Sequence, residues 1–192
     1  MIAILKYNAG NIFSVNHAVL ALGYKTVVTD NPDVLLKAEK VILPGVGEAS
    51  SAMKYLGEHS LDVVIRSLTQ PVLGICLGMQ LLCSSSEEGN TFCLGKFDHK
   101  VKKFPPKDLV PHTGWNSVHN LKGELFRNIN PGADFYFVHG YYAESGIQTI
   151  AETEYILPFT SAIQQDNFFG TQFHPEKSGK NGLFLLKNFL SL

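Results

Sequence analysis

The chain has 192 residues, 45% of them hydrophobic, which is enough for one sizeable α/β core and fits a single domain over residues 1–192. A formal net charge of -1 gives no basic patch of the kind that nucleic acid or an anionic membrane would require, so neither is expected as a partner and small neutral or zwitterionic substrates fit better. The three cysteines, Cys76, Cys83 and Cys93, are odd in number and lack paired metal-ligand spacing, which points to a reduced, cytoplasmic protein with no metal centre.

The first strand is predicted in IAILKY at 2–7, and its short apolar run before Lys6 has no small-residue cleavage site, so it does not read as a signal peptide. Asn11 is placed to cap a helix whose broad apolar face carries Ile12, Val15, Val19, Leu20 and Leu22, with Gly23 ending it. KTVVT at 25–29 reads as the second strand. In NPDVLLKA at 31–38, Pro32 stands just inside a helix start, where its missing N–H costs nothing. KVILPGVG at 40–47 is a third strand running into a glycine-rich turn. Two amphipathic stretches between Glu48 and Leu68 break near Gly57, and PVLGI at 71–75 is a fourth strand that ends at Cys76.

Strands alternating with helices predict βαβ units and a mostly parallel sheet. The second half differs. HKVKKF at 99–104, ADFYFVHG at 133–140, TIAET at 149–153, TSAIQ at 160–164 and FFGTQF at 168–173 are short β-like runs between turn residues, and NGLFLLKNFL at 181–190 is a closing amphipathic helix. KFPPKDLVP at 103–111 is a loop, since strands resume directly after it. No run approaches the roughly 20 apolar residues that span a bilayer.

GICLGMQLL at 74–82 puts Cys76 where a strand-like run passes into a helix-like one. The spacing G-x-C-x-G matches a nucleophile elbow with Cys in place of Ser, and Gly74 and Gly78 supply the small neighbours that a tight turn needs. A thiolate there would meet the positive end of the helix dipole. On this stretch alone a small buried hydrophobe fits equally well. Cys83 reads as core filling, and Cys93 is given no role.

A nucleophilic thiol needs a base and a group to orient it. TQFHPEKSG at 171–179 holds His174 and Glu176 two residues apart, on the same side of an extended backbone. The bland alternative is a solvated strand end. Solvation is the reading for His17, His59 and His99, and His119 lacks a supporting motif. His112 in PHTGWN and His139 in YFVHGYY sit in glycine- and aromatic-rich clusters that look like binding surfaces, beside Trp115, Tyr136, Tyr141 and Tyr142. PGVG at 44–47 lacks the Walker lysine and the dinucleotide-loop spacing, and reads as a turn that lets a backbone N–H approach a ligand.

Taken in order, PGVG, GICLGMQ, PHTGWN, YFVHGYY and QFHPEKS resemble the class I glutamine amidotransferases, and the third and fourth resemble in particular the glutaminase subunits of imidazole glycerol phosphate synthase. The resemblance implies a flavodoxin-like α/β fold, an open and mostly parallel sheet flanked by helices, with additional antiparallel strands in the second half. It implies that Cys76 attacks the glutamine side-chain amide, His174 shuttles the proton and Glu176 orients the imidazole. Leu77 and Val46, with Gly47, would serve the oxyanion, and Gln80, Glu88, Gly47, Gly140 and Tyr141 would contact glutamine. It implies no cofactor and a separate (β/α)8-barrel cyclase as heterodimer partner, met through Asn11, His112, Trp115 and Tyr136. Departures from the family pattern stand at Thr113, Gly140 and Gly179. A paralogue serving another synthase, for example in sugar amidination, and a catalytically silent subunit stay open at this point.

Overall fold

The computed structural model describes residues 1–8 and 10–192. In chain order, β1 (Ile2–Leu5), α1 (Ile12–Ala21), β2 (Thr26–Thr29), α2 (Pro32–Lys37), β3 (Lys40–Leu43), α3 (Ala49–Glu58), α4 (Leu61–Ser67), β4 (Val72–Ile75) and α5 (Leu77–Leu82) form the first half. The second half contains β5 (Ser85–Ser86), β6 (Thr91–Phe92), β7 (Lys100–Lys103), β8 (His112–Val118), β9 (Ala133–His139), β10 (Tyr141–Ala143), β11 (Thr149–Glu154), β12 (Pro158–Gln165), β13 (Phe168–Thr171) and α6 (Gly179–Leu190).

Most strands join one sheet in the order β2-β1-β3-β4-β13-β12-β10-β7-β5-β6, with β11 on β12. The five from β2 to β13 are mutually parallel, and antiparallel pairing begins at β12. Alternation on the parallel strands serves two cores. Ile2 and Ile4 face the side covered by α1 and α6, with Val15, Val19, Leu185 and Phe189, whereas Ala3 and Leu5 face α2 to α5, with Leu35, Leu56, Ile65 and Leu81. Sandwiching the sheet this way makes its central strands apolar on both faces. Among the described residues no helix is long and apolar enough to cross a membrane.

The predicted elements recur with shifted ends. Asn31 caps α2 by accepting from the N–H groups of Asp33 and Val34, at 2.9 and 3.4 Å. The break near Gly57 falls at Ser60, which has φ 55°. Two expectations need correction. Asn11 does not cap α1 with its side chain, which is drawn to Glu176 instead. Leu20 is exposed, and the buried stripe of α1 is Val15, Ala18 and Val19.

β8 has no counterpart among the predicted strands. HTGWNSV is polar and interrupted by Gly114, and it becomes a strand only by pairing along its whole length with β9, from His112 opposite His139 to Val118 opposite Ala133. This two-stranded sheet lies beside the main one and packs Phe135 and Phe137 into the α1/α6 core.

Candidate active site

β4 and β13 are parallel neighbours, so the segments leaving their C-terminal ends lie side by side. Cys76 leaves β4 and His174 leaves β13. Between strand and helix, Cys76 adopts φ 53° and ψ -108°, a conformation that an L-residue holds only under constraint, at about 1–3 kcal/mol. Its N–H is tied to Thr171 O at 2.7 Å. The elbow glycines are steric necessities: a Cβ on Gly78 would stand 2.0 Å from Leu43 O, and one on Gly74 would stand 2.6 Å from the Gly78 carbonyl.

His174 is completely buried. Its N–H donates to Tyr136 O at 2.9 Å, and its carbonyl accepts from Ser178 Oγ at 2.6 Å, so the backbone is held on both sides. Nδ1 meets Glu176 Oε1 at 2.8 Å. The pairing does not come from an extended strand, as the two-residue spacing predicts. At Pro175 the chain enters a 3-10 turn, Pro175–Lys177, and that turn swings the carboxylate back onto the ring. Glu176 Oε1 also accepts from Asn11 Nδ2. Burial alone would lower the pKa of the imidazole, but the Cys76 sulfur and the Glu176 carboxylate outweigh it and raise the value to about 10. Nε2 has no hydrogen-bond partner among the described residues, so the thiol acts on it by proximity rather than through an aligned bond. Such contacts commonly tighten only around substrate.

Sγ of Cys76 opens into a cavity of about 220 Å³ lined by Val46, Gly47, Leu77, Gln80, Glu88, Val138, His139, Gly140 and Tyr141 among others. All the residues anticipated for oxyanion and glutamine therefore share one wall system with the thiol. A larger groove of about 770 Å³ lies between α1 and the start of α6 and touches Glu176, but Cys76 is not among the residues that line it.

The PGVG turn is held at three carbonyls. Tyr7 OH donates to Pro44 O, the Leu77 N–H to Gly45 O at 3.3 Å, and the Gly10 N–H to Val46 O at 3.0 Å. The Leu77 N–H, anticipated as an oxyanion donor, is thus already occupied by the neighbouring turn. Rotation of the Gly45–Val46 peptide would withdraw the Gly45 carbonyl and turn the Val46 N–H the other way. Gly47, at φ 147°, has room beside it, a Cβ there lying 3.6 Å from Leu77 Cδ2.

Gln80 spends both amide hydrogens internally, on Tyr141 O at 3.0 Å and Gln172 Oε1 at 2.9 Å, which leaves its carbonyl oxygen for a ligand. Glu88 Oε2 accepts from the Ala49 N–H at 2.7 Å, while burial pushes its pKa up. A Cβ on Gly140 would meet only Val110, at 3.6 Å, so space and not crowding surrounds that departure from the family pattern.

His112 is not on a surface. It is 4% exposed, stacked on Tyr155, with Nδ1 facing His139 Nε2 at 3.0 Å, and burial lowers its pKa to about 4. His139 is lowered to about 3, chiefly by burial. His99 is also buried, its Nδ1 on Glu144 O, contrary to the solvated reading. Trp115, in contrast, is 57% exposed and meets Tyr136 edge-on. Cys83 is buried with its thiol pKa raised by burial, in keeping with core filling.

Sequence reasoning gave no role to two residues near the thiol. Tyr7, whose pKa is raised by burial and by Cys76, follows β1 as Cys76 follows β4; that shared place at a strand's C-terminal end was the available signal. Gln172 is a buried polar residue two positions before His174 in an apolar run, and its amide nitrogen donates to Cys76 Sγ at 3.6 Å.

The profile of the class I glutamine amidotransferase family matches residues 4–192. The imidazole glycerol phosphate synthase subunit HisH of Bacteroides fragilis is 54% identical, covering 100% of this chain and 99% of that one. The subunit of the same name from Escherichia coli is 49% identical with the same coverage. A crystal structure of a glutamine amidotransferase superposes with a TM-score of 0.78 at 18% identity, covering 99% of this chain and 97% of that one, which bears on the fold alone. With its parallel sheet, its cysteine elbow and a family match over nearly its whole length, the chain belongs to the class I glutamine amidotransferases.

Proposed function

We propose that the chain hydrolyses L-glutamine to L-glutamate and ammonia with a Cys76-His174-Glu176 triad, and that it works as one domain supplying ammonia to a separate cyclase subunit in histidine biosynthesis. The observation that carries this reading is the convergence of Cys76 and His174 at adjacent strand ends, with Glu176 2.8 Å from Nδ1.

His174 Nε2 takes the thiol proton as Sγ bonds to the side-chain carbonyl carbon of glutamine. The tetrahedral oxyanion then collapses: the C–N bond breaks, the imidazolium returns its proton to the leaving nitrogen, and ammonia departs from a thioester. Water attacks the thioester, giving its proton to His174, and glutamate leaves as the thiol is restored. The N–H groups of Leu77 and Val46, beside Gly47, stabilise the oxyanion. Gln80, Glu88, Gly140 and Tyr141 line the cavity that takes the glutamine chain, where the Glu88 carboxylate suits an α-ammonium group.

With the Leu77 N–H occupied by Gly45 O, the oxyanion hole is incomplete at rest. An ammonia-supplying subunit gains nothing from hydrolysing glutamine without an acceptor, so the PGVG turn is the switch, completed when the partner is loaded. The partner is a (β/α)8-barrel cyclase docked on the face carrying Trp115 and Tyr136. Asn11 acts there through Glu176, and the buried His112 only from beneath.

The test is glutamate release by the chain alone and with its substrate-loaded cyclase. Cys76→Ala should abolish glutamate formation while leaving the ammonia-dependent reaction of the complex intact. Glutamine turnover by that variant, or equal turnover with and without loaded partner in the wild type, would overturn the nucleophile and the switch respectively.

A further inference from the structure

We propose that Gln172 is a positioning residue for the nucleophile, its amide N–H groups orienting Cys76 Sγ and stabilising the thiolate, with its own orientation locked through Gln80. The proposal deepens the reading of Cys76 as nucleophile and rests on it.

The lock begins at a group whose polarity is unambiguous. The Tyr141 carbonyl can only accept, so the Gln80 side-chain atom 3.0 Å from it is the amide nitrogen. That same nitrogen lies 2.9 Å from one end of the Gln172 amide, which must therefore be the oxygen. The nitrogen of Gln172 is then the atom 3.6 Å from Sγ. Reversing Gln172 would set two donors against each other at Gln80 and turn its oxygen towards the sulfur. His139 Nδ1 meets the same Tyr141 carbonyl at 2.7 Å, which keeps that acceptor in place.

Gln172 is completely buried, and its neighbours fix it without solvent. An N–H donor facing a neutral thiol contributes little. Once the proton has moved to His174, the bond becomes charge-assisted and roughly twice as strong. The other titratable groups around Sγ are His174, Tyr7 and His139, with Glu88 and Tyr141 on the walls of the same cavity and Glu176 behind the imidazole. Tyr7 is engaged with Pro44 O and His139 with Tyr141 O, which leaves Gln172 as the neutral donor aimed at the sulfur. Because Gln80 lines the glutamine cavity, a ligand that moves Gln80 also moves the donor on the nucleophile.

The experiment is the pH profile of Cys76 alkylation by iodoacetamide in the full chain, with the modified peptide identified by mass, in wild type, Gln172→Met and Gln172→Glu. Met keeps the volume and deletes the donor, and a charge-assisted bond is worth enough that the midpoint should move up by about one pH unit, with a tenfold lower rate on the acid side. Glu presents a carboxylate to the thiolate and should move it further. If Gln172→Met does not fold, Gln80→Met, which removes only the lock, should give a smaller shift in the same direction. Profiles superimposable on wild type in every variant that folds would overturn the proposal and leave Gln172 a packing residue. Alkylation needs no glutamine, so a shifted profile in a chain that releases no glutamate even with its substrate-loaded cyclase would sink the glutaminase reading while the role of Gln172 stands.

Discussion

The elbow around Cys76 and the PGVG turn lie against each other in the site, both rich in glycine, yet they are held by different forces. At the elbow the constraint is repulsive: Gly74 and Gly78 sit where any Cβ would overlap backbone, 2.6 and 2.0 Å away. At the turn it is attractive and exchangeable, three carbonyls each holding one donor from Tyr7, Leu77 or Gly10. Hard contacts fix the nucleophile's position, whereas hydrogen bonds of about 1 kcal/mol net can be traded when a partner offers something better. A site needing an immobile thiol and a movable oxyanion donor is served by that division.

The largest effect should separate the two regions by stability. Gly78→Ala forces a Cβ into Leu43 O, which neither strand nor helix can vacate, and should cost about 4 kcal/mol or more in denaturant unfolding. Gly47→Ala meets no more than an ordinary contact, 3.6 Å from Leu77 Cδ2, and carries mainly the strain of its φ, about 1 kcal/mol. Equal losses would erase the distinction.

Turnover should reverse that order. Gly47→Ala restricts the turn's rotation, and a missing oxyanion donor typically lowers kcat about 10²- to 10³-fold. The expected outcome is a drop of that size in the partner-activated rate with glutamine binding nearly unchanged. A larger change in KM than in kcat would place Gly47 in ground-state binding instead.

Legibility in the sequence follows the same divide. Repulsive constraints and periodicity are local: the G-x-C-x-G spacing, the glycines and the apolar strands of the parallel half can be read from a few adjacent residues. Exchangeable contacts join residues far apart, with no local trace. Asn11 and Glu176 are 165 positions apart, and Gln172 and Cys76 are 96 apart. Asn11 has the residue type of a cap and spends its amide elsewhere. His112 lies in a stretch that looks like a surface and is buried because β8 pairs with β9 and Tyr155 covers the ring. The His174-Glu176 partnership was legible in its spacing, though a 3-10 turn and not strand alternation brings the groups together.

The elbow's charge gives a third comparison. Burial depresses the His174 pKa, and the influences that overcome it are led by Cys76 through the negative charge left on its sulfur when the proton moves, so the imidazolium formed by that transfer should hold its proton to about pH 10. The glutaminase rate of the activated complex should accordingly hold through neutral pH and lose its acid on the alkaline side only near pH 10. In Cys76→Ala, burial opposes Glu176 alone, and the ring should titrate well below its wild-type midpoint. NMR of the His174 ring nitrogens against pH reads both states; an unmoved midpoint would mean that Glu176 and not the charge on the Cys76 sulfur holds the proton.

The smallest effect probes the strain at Cys76 itself. At φ 53° and ψ -108° an L-residue is held at about 1–3 kcal/mol above its relaxed conformation, and glycine is not. Cys76→Ala and Cys76→Gly both delete the sulfur, so their difference isolates the backbone. Glycine loses about 0.5–1 kcal/mol through the greater freedom of the unfolded chain, and up to about 0.8 kcal/mol for one buried methyl. These costs are similar in size to the strain relieved. Cys76→Gly should therefore match Cys76→Ala or exceed it by about 1 kcal/mol, against the usual order of the two residues. Ala52→Gly, within α3 and buried, supplies the contrast, with a loss of about 1 kcal/mol or more. Should the step from Ala to Gly at position 76 cost as much as it does at position 52, the elbow holds its cysteine without strain, and packing of Gly74 and Gly78 alone accounts for its rigidity.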